Sequence, residues 1–118
     1  MMTANINHPV YLATGVTDMR KSIDGLAVIV SECLALNPLS GSLFVFCNRQ
    51  RDKIKILHWD GSGFWLYYKR LEKGRFQWPK VSNNESVNLT RQQLNWLLDG
   101  LQLEQKQAHR ALQYQTVT

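Results

Sequence analysis

From Ser22 to Leu36 the apolar residues Ile23, Leu26, Ala27, Val30, Cys33 and Leu34 recur every three or four positions, which predicts a helix with one buried stripe. Asn37-Pro38 ends it, because the residue before a proline is pushed out of helical backbone angles. Upstream, Val10-Tyr11-Leu12 reads as a short strand, and Gly15 to Asp18 as a turn leading into the helix.

The pattern changes to a two-residue period between Ser42 and Trp78, which predicts four short antiparallel strands. Ser42 to Cys47 and Lys53 to Trp59 flank the loop Asn48-Arg49-Gln50-Arg51-Asp52. Gly61-Ser62 suits a two-residue hairpin turn, and Lys73-Gly74 suits a second. With no bulge, these loops pair Cys47 with Lys53, Trp59 with Phe64, and Leu71 with Phe76. One face then collects Phe44, Phe46, Ile54, Ile56, Trp65, Tyr67, Leu71, Phe76 and Trp78, with His58 and Lys69 as polar intruders, and the helix from Ser22 should cover it. The opposite face carries Leu43, Val45, Leu57, Trp59, Phe64 and Leu66 towards one end and Lys53, Lys55, Tyr68, Arg70 and Arg75 towards the other. Its apolar end calls for cover by a second helix, a partner or another copy of the chain.

Thr90 opens a second helix. Gln93 stands at the reciprocal position of a capping box, Leu89 and Leu94 have the spacing of a hydrophobic staple, and Gly100 suits the end. Leu94, Leu97, Leu98 and Leu101 form its apolar stripe, a natural cover for the second sheet face. From Glu104 to Thr118 the chain is Gln-rich with little periodicity and reads as a frayed helix or disordered tail. The expectation is one α+β domain over residues 1–103: an N-terminal helix on an antiparallel meander of about four strands, with a C-terminal helix.

Composition supports a self-sufficient core. Of 118 residues 44% are hydrophobic, with four Trp, four Tyr and four Phe, so neither metal nor disulfide is needed to hold the fold. Cys33 and Cys47 show no CxxC spacing and read as reduced packing residues, and His8, His58 and His109 are too scattered to suggest a metal site. Met1 to Pro9 lacks the apolar stretch of a signal peptide and no run is long enough to cross a membrane, so the expected location is cytoplasmic.

Charge is concentrated rather than spread. From Arg49 to Lys80 there are nine basic residues against three acidic ones, a window of +6 that leaves −1 of the chain's +5 elsewhere. Such a window suits a polyanion: DNA, RNA or an acidic protein surface. The candidate nucleic-acid-binding residues are Arg49, Arg51, Lys53, Lys55, Tyr68, Arg70, Lys73 and Arg75, because the hairpin register puts Lys53 beside Arg70 and the two basic loops extend that patch. In Phe64 to Arg70 aromatic and basic residues interleave, but strand alternation leaves only Tyr68 and Trp59 as outward aromatics that could stack on bases.

Catalytic signatures are missing. The chain has no phosphate-cradling glycine loop, no GxSxG elbow and no HExxH. A two-metal nuclease needs converging carboxylates, yet Asp18 and Asp24 flank a helix start and Asp60 begins a turn, each a sufficient structural role. Asp52, in the loop before the second strand of the meander, is the fourth candidate and likewise has a sufficient structural explanation. The expectation is a protein without catalytic residues, metal or cofactor.

Three stretches together resemble the second-reading-frame (Orf2-like) accessory family of the insertion-sequence-66 elements. They are Thr17-Asp18-Met19-Arg20-Lys21-Ser22-Ile23-Asp24-Gly25-Leu26, Leu43-Phe44-Val45-Phe46, and the run from Lys55 to Pro79 that contains Trp59-Asp60-Gly61-Ser62-Gly63-Phe64 and Tyr68-Lys69-Arg70-Leu71-Glu72-Lys73-Gly74-Arg75-Phe76. The likeness extends from about Val10 to Leu101. It implies an auxiliary factor in bacterial DNA transposition, with the catalytic carboxylates on a separate, larger transposase. The loop Cys47 to Arg51 and the tail after Leu101 depart from the family pattern.

Three functions are therefore distinguished: an accessory module that binds element DNA through the basic strands and loops, an adaptor that docks on the transposase or another element protein without touching DNA, and a small nuclease. Expected partners are DNA, the transposase and other proteins of the same element, and a second copy of the chain, with no membrane role.

Overall fold

The computed structural model describes residues 8–80 and 84–102. Five strands form one mixed sheet in the order β4-β3-β2-β1-β5, with a helix on each face, so the α+β class holds. In chain order the elements are β1 (Val10–Val16), α1 (Ile23–Val28) with a π-helical turn (Ile29–Cys33), β2 (Leu43–Cys47), β3 (Lys53–Trp59), β4 (Phe64–Arg70), β5 (Ser86–Leu89) and α2 (Arg91–Leu98). The expectation for residues 104–118 lies outside the described residues.

Two parts of the anticipated meander are rearranged. β1 joins β2 in parallel and β5 flanks β1 in antiparallel fashion, so the meander supplies only β2, β3 and β4. The anticipated fourth strand does not form. After β4, residues 71–80 leave the ladder and cross the α2 face, where Phe76 donates its N–H to the Arg51 carbonyl at 2.7 Å and the Trp78 indole donates to the Ala13 carbonyl at 3.2 Å.

The β3–β4 hairpin keeps its expected register, Trp59 opposite Phe64 and Lys53 opposite Arg70. The β2–β3 register is shifted by one: Cys47 stands opposite Ile54, not Lys53. Asn48 extends the ladder, its N–H donating to the Lys53 carbonyl at 3.2 Å, and the loop tightens around Arg51 at φ 62°. A slip of one residue exchanges every side chain between the faces. Phe44 and Phe46 therefore side with Leu57, Phe64 and Leu66 beneath α1, whereas Leu43, Val45, Ile54 and Ile56 pack with Leu94 and Leu97 of α2. α1 thus covers Phe44 and Phe46 as expected, but β3 and β4 turn to it the face that the expected register gave to α2, and Trp65 and Phe76 remain on one side of the sheet as expected.

The first helix is shorter than its periodicity suggests. Leu34 donates to the Ile29 carbonyl, a π-type bond, and Ala35 at φ 55° then closes the end through the Leu36 N–H and Val30 carbonyl. The extra residue in that turn moves the phase along by one, so Leu34 stays against the core while Cys33 is exposed, contrary to its reading as a packing residue. Cys47 is buried and its thiol pKa is raised by that burial.

α2 carries the signals read for it. Thr90 and Gln93 form the reciprocal capping box, and Gly100 at φ 80° closes a Schellman end in which Leu101 donates to the Trp96 carbonyl at 2.8 Å. Eight residues are too few for a helix to persist alone. Burying Leu94 and Leu97 completely, each worth about 1.5–3 kcal/mol, does more to hold it than a cap worth about 1 kcal/mol. Lys69 adds a tie from β4, its ammonium donating to the Leu98 carbonyl at 2.6 Å, where a helix end favours a cation.

Candidate nucleic-acid interface

Three segments far apart in sequence meet at the open end of the α1 face. The turn between β1 and α1 supplies Thr17, Asp18 and Arg20, the β2–β3 loop supplies Asn48 and Arg49, and Lys53, Lys55 and Tyr68 rise from β3 and β4. Together they line an open groove of about 880 Å³. Arg70 extends it, since it is the cross-strand neighbour of Lys53.

The sheet fixes the floor of this groove. Lys53, Lys55, Tyr68 and Arg70 occupy alternate positions of two paired strands, so the period of two puts them on one face. Tyr68 is 54% exposed, an open ring over which the Lys55 ammonium lies 6.0 Å from the centroid. Trp59, the other aromatic expected to face outward, packs edge-on against Phe64 at 5.0 Å.

The rim is fixed by a polar knot. Asn48 is 6% exposed, and its Oδ1 accepts the Asp52 and Lys53 N–H groups at 3.1 and 3.0 Å. Its Nδ2 donates to Gln50 Oε1 at 3.2 Å and to Asp52 Oδ1 at 2.7 Å. That last bond holds the Asp52 carboxyl below the usual carboxylate range. The knot sets the tip that presents Arg49.

The eight candidate residues take different roles. Arg49, Lys53, Tyr68 and Arg70 belong to the groove and its extension, and Lys73 and Arg75 stand exposed on the segment after β4. Lys55 is committed to structure: its ammonium donates to the Met19 and Lys21 carbonyls, both at 2.8 Å, and so anchors the turn before α1. Arg51 turns to the other face, its guanidinium 5.4 Å from the Trp78 ring centre with one nitrogen buried. Sequence reasoning missed Arg20. The signal was available in Asp18-Met19-Arg20-Lys21, but those residues lie outside the basic window and meet it only through the parallel pairing of β1 and β2.

Opposite charges in the groove are few, and all are exposed or half-exposed. Arg20 grips Asp18 in a two-pronged bond, with Nη2 to Oδ2 at 2.7 Å, and this holds the Asp18 carboxyl at about 2. Arg70 pairs with Glu72 at 2.7 Å and Lys53 lies 3.7 Å from Asp52. Solvent-exposed pairs of this kind exchange readily for a stronger anion.

The carboxylates do not converge. Asp60 accepts the Ser62 and Gly63 N–H groups at 2.9 and 3.0 Å and the Trp65 indole at 2.7 Å, which holds it at about 2 and ties it into its turn. Asp52 belongs to the Asn48 knot, Asp18 to Arg20, and Asp24 to the first turn of α1. Among the described residues no three His, Cys, Asp or Glu side chains are grouped to hold a metal ion. No helix among them is long and apolar enough to cross a membrane.

The family profile described as IS66 Orf2 like protein matches residues 8–108. The chain is similar to the uncharacterized protein y4hO of Sinorhizobium fredii (strain NBRC 101917 / NGR234), with 43% identity over 101 residues, 86% of this chain and 87% of that protein. It is also similar to the uncharacterized protein y4jC of the same organism, with 33% identity over 92 residues, 78% of each. No solved structure matches.

Proposed function

The chain belongs to the IS66 Orf2-like family of transposition-associated accessory proteins, and on that premise we propose that it is a non-catalytic factor that holds element DNA through the groove between the β1–α1 turn and the β3–β4 hairpin. One observation carries the reading: Arg20, Arg49, Lys53 and Arg70, drawn from separate segments, share one open face beside a half-exposed Tyr68 ring. Guanidinium and ammonium groups so arranged suit successive phosphates, and an exposed ring suits a base or sugar. Phosphate displaces the exposed carboxylates of Asp18 and Glu72 from their arginines, so the site needs no rearrangement of its backbone. Phosphate contacts position a protein on DNA without specifying sequence, so affinity is expected to be similar on unrelated sequences.

The test is a binding titration with duplex and single-stranded DNA at several salt concentrations. Four phosphate contacts give a log–log slope of about −3.5 on duplex, on the order of a hundredfold loss of affinity between about 50 and 200 mM salt. Absence of binding at low salt, together with nuclease-resistant capture of the transposase from cells carrying the whole element, would establish the adaptor function in its place.

A further inference from the structure

β4 ends the sheet, and its ladder with β3 determines which of its backbone groups are left open. Leu71 donates its N–H to the Asp52 carbonyl at 2.8 Å and Asp60 donates to the Gly63 carbonyl at 3.0 Å. Antiparallel pairs alternate between bonded and non-bonded, so between those two points Trp65, Tyr67 and Lys69 exchange bonds with β3. Phe64, Leu66, Tyr68 and Arg70 turn their N–H and C=O groups outward. Among the described residues no strand lies beyond them, and residues 71–80 leave across the α2 face, not along this edge. The strand has no proline and no bulge to discourage pairing, and two of its aromatics are half bare, Trp65 at 46% on one face and Tyr68 at 54% on the other.

We propose that this edge pairs antiparallel with β4 of a second copy, about a two-fold axis at Tyr67. That register alone lets all four outward residues of both copies bond at once: Leu66 with the partner's Tyr68, and Phe64 with the partner's Arg70. Centring the axis on Leu66 leaves Arg70 out of the ladder, and centring it on Tyr68 leaves Phe64 out. Charge favours the same arrangement. Each basic end meets a ring of the other copy, Arg70 on the partner's Phe64 and the Lys69 stem on the partner's Trp65, while the Lys69 ammonium stays on Leu98. The two Lys69 residues then lie four positions, about 14 Å, apart along the ladder, beyond the screening length at physiological salt. Parallel pairing would stack them. Because the axis is perpendicular to the sheet, the product is one ten-stranded sheet with both α1 helices, and both Lys53–Arg70 pairs, on the same side. The inference rests on the open edge and does not depend on the groove's ligand.

Sedimentation of the full chain at micromolar concentration tests it, and a dimer is expected. Since each copy carries +5, the dimer should hold or tighten as salt rises, the opposite of DNA binding. Tyr68→Pro removes only an outward N–H and leaves the β3 ladder intact, so it should yield a monomer with an unchanged circular dichroism spectrum. Should that variant unfold, cysteine cross-linking decides. In a Cys33→Ser background, Tyr67→Cys should form a disulfide dimer under mild oxidation and Trp65→Cys should not. A monomer at every concentration and salt, a folded Tyr68→Pro dimer, or equal cross-linking at 65 and 67 would overturn the proposal.

Discussion

Lys55 reaches from the middle of β3 to the carbonyl of Met19, 2.8 Å away, and so fastens the turn that carries Arg20 to the sheet that carries Lys53. A residue that looks in sequence like one more phosphate ligand is instead what brings the two halves of the groove together. Replacing it separates these roles. Lys55→Met should lower stability by about 1–3 kcal/mol, because two carbonyls lose a charged donor. DNA affinity should fall through the loosened turn, and urea denaturation beside a binding titration reads both. Unchanged stability would mean that the tether carries no weight.

Lys53 and Arg70 should behave in the opposite way. Both are at the groove surface, the Arg70–Glu72 pair is exposed and the Lys53–Asp52 contact is long at 3.7 Å, so the Lys53→Ala, Arg70→Ala double variant should keep the wild-type melting temperature within a few degrees. The salt slope of DNA binding should drop by about two, equally on unrelated sequences. Loss confined to one sequence would point to base recognition.

Asn48 tests the preorganisation of the rim. Asn48→Ala leaves the Asp52 and Lys53 N–H groups without their acceptor in a nearly closed site, a cost of about 2–3 kcal/mol. Hydrogen exchange at Asp52 and Lys53 should accelerate selectively. Exchange that stays slow there would mean another group satisfies these donors.

Asp60 gives a pH signature. Four hydrogen bonds, led by the Ser62 N–H, hold its pKa at about 2 against 3.8 for an ordinary carboxyl. A carboxyl depressed on folding contributes stability that is complete above its unfolded pKa and is lost as pH falls through the folded one. The wild type should therefore lose stability between about pH 5 and 2. Asp60→Asn should flatten part of that fall, the remainder coming from Asp18, which Arg20 holds at about 2, and from Asp52, which Asn48 holds below the usual range. Denaturant titrations across this range read the difference, and superimposable profiles would contradict it.

Incubated with DNA and Mg²⁺ or Mn²⁺, the purified protein should leave the substrate intact, because Asp18, Asp24, Asp52 and Asp60 are held apart in separate local structures. Cleavage abolished by Asp18→Asn or Asp60→Asn would overturn the non-catalytic reading.

By itself the sequence determined what a few neighbouring residues can settle. The capping box of Thr90 and Gln93 and the Asp60-to-Gly63 turn are built from contacts within five residues, so α2, the β3–β4 register and the Lys53–Arg70 pair were all legible. The resemblance carried by residues 17–26 and 55–79 likewise pointed to the family. Tertiary structure decided the rest. All five residues of β2 are buried, as befits a strand covered on both sides, so its apolar run holds no alternation from which to read a face. The Asn48 knot, a contact within the loop that no standard turn pattern announces, accompanies the register that assigns each helix to its side. The parallel pairing of β1 with β2 then brings Arg20 beside Arg49, and the carbonyls of Met19 and Lys21 claim Lys55. The β1–β2 pairing and the tie of Lys55 to Met19 and Lys21 depend on partners more than 30 residues away, and a local pattern cannot specify which distant backbone groups will compete for a side chain.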